Sequence, residues 1–177
     1  GAGGNPGSGT EICDLTELYN GVSWTEVNNL NLAREGGAGA GTQPAALVFG
    51  GTRQSQPGGP NTADTESWNG TNWTEVNNLN TGRSNSSGTG ADNTSAICVG
   101  GETPSVTAVT ETWNGTNWTE VNDLNTARDR PTTIGSKTNA LCVGGPGGSK
   151  QLVELWNGTN WTETTDLATG RAFASGA

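Results

Sequence analysis

The chain has 177 residues, room for about one domain, and 30% of them are hydrophobic while 29 are glycine. Eight basic residues against 17 acidic ones leave a formal charge of −9, which argues against nucleic acid or an anionic membrane as partner. No run approaches the roughly 20 apolar residues of a membrane helix, and histidine is absent, which removes Ser-His-Asp and Cys-His mechanisms and the commonest zinc and copper ligand.

Residues 1–33 supply an incomplete first unit. GAGG at 1–4 reads as the tail of a strand, and residues 10–31 supply two strands around the block YNGVSWTE at 19–26. From Arg34 the pattern becomes complete. A run of small residues (EGGAGAGT) leads to an apolar strand ending in two glycines, AALVFGG at 45–51. A loop at 52–63 then leads to TESW, an Asn-Gly dipeptide and WTEVNNL before the next arginine, Arg83. The same order recurs from Arg83 (SAICVGG, then WNGTNWTE at 113–120) and from Arg128 (NALCVGG, then WNGTNWTE at 156–163). After Arg171 only AFASGA follows, the run of small residues that opens a unit.

All seven tryptophans lie in these blocks, and Tyr19 takes the place of an eighth. The predicted units are a partial one at 1–33, complete ones at 34–82, 83–127 and 128–170, and an inner strand at 171–177. Apolar residues nowhere keep helical spacing, so essentially no helix is expected. Asn-Gly between the aromatics predicts a two-residue type I′ hairpin. Four short strands in about 45 residues is the arithmetic of a β-propeller blade, so the fold class is all-β. Small residues suit the crowded inner strand. The aromatic pairs suit packing between sheets: Tyr19 with Trp24, Trp68 with Trp73, Trp113 with Trp118, and Trp156 with Trp161. Three glycine pairs mark positions where a Cβ atom is unwelcome: Gly50 and Gly51, Gly100 and Gly101, Gly144 and Gly145.

A glycine pair closing an apolar strand, followed by an aromatic pair five residues apart, resembles the Kelch repeat. That resemblance implies blades of a β-propeller, here with Trp where Tyr is usual. The near-identical wording of the units, ESWNGTNWTEVNNLNTGR above all, is similar to Kelch-like arrays in structural proteins of marine bacteriophages. Residues 1–177 are expected either to close a four-bladed ring, Ala172–Ala177 joining the strands at 10–31, or to belong to a larger ring. Association with neighbouring chain is the favoured expectation. A chain without methionine is expected to be a processed product or a piece of a longer polypeptide.

No chemistry stands out. Kelch-like galactose oxidases need histidine ligands to copper, and none is available here. Carboxylates recur in every unit, as Glu17, Glu66, Glu111 and Glu154 before the first aromatic and Glu26, Glu75, Glu120 and Glu163 after the second. A catalytic pair would be singular, so these read as structural, one series pairing with the repeat arginines. Cys98 and Cys142 take the place of Val48 and, with Cys13, are expected as free thiols. Neither a cofactor nor a metal site is predicted. Length varies chiefly between the second glycine and the next strand's Glu, at 15, 10 and 9 residues. The loops there nominate Arg53, Gln54, Gln56, Asn61, Glu102, Ser105 and Lys150 as candidate binding residues. The leading functional expectation is a non-enzymatic structural or adhesive module of a phage virion, a fibre or decoration protein. Its partners would be other virion proteins, the rest of a longer chain or surface glycans. The alternatives are a secreted carbohydrate-binding propeller and an intracellular Kelch adaptor.

Overall fold

The computed structural model describes residues 1–4, 12–53 and 60–171. It is all-β. The first sheet holds β1 (Ala2–Gly4), β2 (Cys13–Tyr19) and β3 (Trp24–Val27). The second holds β4 (Ala38–Thr42), β5 (Ala45–Phe49), β6 (Thr65–Trp68) and β7 (Trp73–Val76). In the third, β8 (Ser87–Asp92) and β9 (Ser95–Val99) are followed by a small ribbon, β10 (Glu102–Thr103) and β11 (Ser105–Val106). That sheet is completed by β12 (Thr110–Trp113) and β13 (Trp118–Glu120). The fourth holds β14 (Thr132–Ser136), β15 (Asn139–Val143), β16 (Val153–Trp156) and β17 (Trp161–Glu163). Each sheet is an antiparallel meander. Among the described residues the only helical piece is a 3-10 turn at Gly147–Ser149.

Successive sheets stack face to face, with the first strands β4, β8 and β14 packed side by side. That crowding explains their small residues. A Cβ atom on Gly88 would sit 2.5 Å from the Phe49 ring and 2.8 Å from the Gly39 carbonyl. The second strand of the third sheet is buried on both faces: Ala96 and Cys98 face the second sheet, Ile97 and Val99 the fourth. Three apolar clusters fill the three junctions, each joining a Leu and a Val of one sheet to the Trp pair of the next.

The glycine pairs fall just beyond the second strands rather than inside them, and all six residues have positive φ: Gly50 and Gly51, Gly100 and Gly101, Gly144 and Gly145. Gly101, at φ +107°, shows why the second member is also glycine. A Cβ there would lie 2.6 Å from the Ser84 carbonyl, where the chain of its own unit passes. GAGG itself supplies a short strand of the first sheet, β1. Gly3 has a positive φ and lies against the Arg34 carbonyl, as Gly50 does against Arg83. The expected inner strand at 172–177 lies outside the described residues.

The tight turns differ from the two-residue form expected. Trp68 pairs directly with Trp73, Trp113 with Trp118 and Trp156 with Trp161, which leaves four residues in each loop. Only the glycine has positive φ. The Asn69 side chain accepts the N–H groups of Thr71 and Asn72 at 2.9 Å, and Asn114 and Asn157 do the same in their loops. An asparagine acting as an Asx turn therefore replaces the second left-handed residue of a type I′ turn.

Candidate functional site

The repeated polar residues converge on the junctions between sheets. Each repeat arginine opens a unit, and its side chain reaches the third strand of that unit's sheet. The Arg34 guanidinium meets Glu66 at 2.6 Å, Arg83 meets Glu111 at 2.6 Å, and Arg128 pairs with Glu154. All six side chains are buried. The other carboxylate oxygen is bonded by an asparagine of the preceding unit through both its backbone N–H and its side-chain amide. Asn31 serves Glu66, Asn80 serves Glu111 and Asn125 serves Glu154, at 2.7 to 2.8 Å. Such saturation is what a buried carboxylate needs to offset lost hydration. Arginine therefore selects the glutamates before the first aromatic, while Glu26, Glu75, Glu120 and Glu163 stay exposed.

The aromatics occupy the same junctions. Trp68, Trp113 and Trp156 are 0–1% exposed, and Trp73, Trp118 and Trp161 are 5–8% exposed. The inner members of these pairs donate their indole N–H to a carbonyl within their own sheet, Trp68 to Gln43, Trp113 to Asn93 and Trp156 to Lys137, at 2.9 to 3.0 Å. The outer members donate to a threonine of the preceding sheet, Trp73 to Thr16, Trp118 to Thr65 and Trp161 to Thr110, at 3.0 to 3.1 Å. Tyr19 and Trp24 differ from the other pairs. They are 45% and 59% exposed, because no described sheet covers that face.

The candidate binding loops share one rim, opposite the Asn-Gly turns. Arg53 bonds Asp64 through Nε at 2.7 Å, and the Asn61 amide donates to the Glu102 carbonyl at 2.6 Å. The Glu102 carboxylate accepts from Asn85 at 3.2 Å. Ser105 is exposed at the ribbon between β10 and β11, and Lys150 is exposed with its carbonyl accepting the Arg171 N–H. Gln54 and Gln56 lie outside the described residues. The structure thus brings Asn61 and Glu102 together, and the bridge between Thr52 and Asn61 sets Arg53 next along the same loop. Burial would raise the Asp64 carboxyl, but Thr62 and Arg53 outweigh it and hold it below the usual carboxylate range. A second set on this rim was not read from the sequence. Gly36, Asn85 and Arg130 all take left-handed backbone, and the Asn85 N–H bonds the Gly36 carbonyl while the Arg130 N–H bonds that of Asn85. Only their common offset of two from the repeat arginine could have signalled it.

All three cysteines are free thiols. Burial pushes the Cys142 thiol up to about 12 and raises that of Cys98, which also accepts a bond from Arg83 at 3.2 Å. Among the described residues no group of three or more Cys, Asp or Glu could hold a metal ion. A cleft of about 430 Å³ lies between the first strands, lined largely by glycine together with Thr89, Thr133 and Ile134. The chain matches no protein-family model and none of the curated proteins.

Proposed function

We propose that this chain is a non-enzymatic structural or adhesive module, built as Kelch-like blades of a β-propeller and serving in a phage virion as a fibre or decoration protein. One observation carries the reading. The arginines, glutamates, asparagines and tryptophans that could do chemistry are used three times over in the same sheet-to-sheet junction. A scaffold of that kind supports a rim of loops whose lengths are free to differ. The virion assignment rests on the phage-like wording of the repeats. Mass spectrometry of purified particles tests it: the chain should be present in virions, and its recovery from host cytosol alone would refute the assignment.

The concentration of length differences on one rim favours a second reading, a glycan-binding propeller. In that case a glycan array should give a hit that Asn61→Ala or Ser105→Ala abolishes.

A further inference from the structure

Among the described residues the stack has two uncovered faces, and they are not equivalent. On the upstream face of the first sheet, Leu15, Tyr19 and Trp24 are 45–59% exposed. Glu17, at the position of the buried Glu66, Glu111 and Glu154, is exposed with no side-chain partner among the described residues. This face keeps the carboxylate and the indole that each inner junction uses.

The downstream face of the fourth sheet has lost the matching half. Besides the leucine of the apolar cluster (Leu30, Leu79, Leu124), each inner junction takes five side chains from the segment that leads into it. They are a threonine that accepts the Trp N–H (Thr16, Thr65, Thr110), a valine in the apolar cluster (Val27, Val76, Val121) and an asparagine that bonds the next turn (Asn28, Asn77, Asn122). The others are the asparagine that bonds the glutamate and the repeat arginine. In the fourth unit the first four are Val153, Thr164, Thr165 and Ala168. Positions whose backbone serves their own sheet are kept. The Leu167 N–H bonds the Gln151 carbonyl at 2.9 Å, as Leu79 bonds Ala63, and the Arg171 carbonyl accepts the Gly145 N–H as Arg83 accepts Gly51. Arg171 alone survives of the five, as Leu167 survives beside them.

We propose that the upstream face of the first sheet docks a repeat unit that is neither the fourth unit of this chain nor that of another copy. The unit it takes supplies a threonine hydroxyl to the Trp24 indole and a Leu-Asn-x-x-Arg segment to Glu17. The fourth sheet receives no such unit. Val153 offers no acceptor to an indole, and Ala168 offers no amide to a carboxylate. The same changes disfavour head-to-tail polymers of this chain and closure of its own fourth sheet on its first.

The full chain itself can be made into the probe. A donor variant carries Val153→Thr, Thr164→Val, Thr165→Asn and Ala168→Asn, with its own acceptor face blocked by Glu17→Ala and Trp24→Ala. Sedimentation velocity of donor mixed with the unmodified chain should show a 1:1 complex. It should vanish when the acceptor carries Glu17→Ala and Trp24→Ala. The unmodified chain alone should stay monomeric with Trp24 open to acrylamide quenching. Self-association of the unmodified chain, or a monomer in which Trp24 is shielded, would overturn the proposal. So would a donor that is folded by circular dichroism yet does not bind. A lighter donor, with Val153→Thr and Ala168→Asn added to the same acceptor block, covers failure of the full variant to fold, and its failure to bind would also overturn the proposal.

Discussion

Trp118 and Trp24 occupy the same place in their units, yet one is 5% exposed and the other 59%. Trp118 fills the junction against Phe49, ring centroids 4.8 Å apart, and donates its N–H to Thr65. Trp118→Ala is therefore expected to cost about 3–5 kcal/mol in urea unfolding, and Trp24→Ala less than about 0.5 kcal/mol in the isolated chain. Equal losses at both positions would refute junction packing as their role. Cys142 gives a pH-dependent test. Its thiol is held neutral in the fold, with burial pushing it up to about 12, so the folded state keeps a proton that the unfolded chain releases at lower pH. This contribution is fully present below the ordinary thiol range and is lost as pH rises toward about 12. Cys142→Val, the residue found at the matching Val48, should flatten that alkaline decline in melting temperature; an unchanged slope would reject it.

The strands were largely legible in the sequence, and the loops were not. Apolar residues on both faces of AALVF and SAICV, closed by a glycine pair, announce a strand sandwiched between two others. The glycines themselves answer to the chain that returns past them. Gly100 has φ +62°, and a Cβ there would lie 2.5 Å from the Arg128 carbonyl. Gly100→Val should leave the protein largely insoluble or sharply lower its melting temperature; an unchanged melting curve would contradict this. The Asn-Gly turns misled because the dipeptide has two uses. It can supply two left-handed residues, or, as here, one left-handed glycine beside an asparagine that caps the loop with its side chain. Asn114→Ala removes two hydrogen bonds at an exposed turn and is expected to cost about 1–2 kcal/mol, whereas a type I′ turn would respond mainly to changes at Gly115. The junction glutamates were visible as a series, but the two series pair across adjacent strands and share one face of each sheet; that arginine meets the third strand and not the outer fourth becomes clear only from the stacked sheets.

Across the whole molecule the same contact set recurs at three junctions and is left half-made at the open end. Each buried Arg–Glu pair is held by hydrogen bonds from the unit before it, so the pairs act as fasteners between sheets. Cutting one side leaves a buried guanidinium unpaired. The most direct test is one substitution made at four equivalent places: Glu17→Gln, Glu66→Gln, Glu111→Gln and Glu154→Gln, each followed by equilibrium unfolding. The three junction variants should each lose about 3–5 kcal/mol, and Glu17→Gln should lose less than about 0.5 kcal/mol. Near-wild-type stability at all three junctions, or a loss at position 17 as large as theirs, would contradict the assignment of these residues to the assembly of one sheet upon the next.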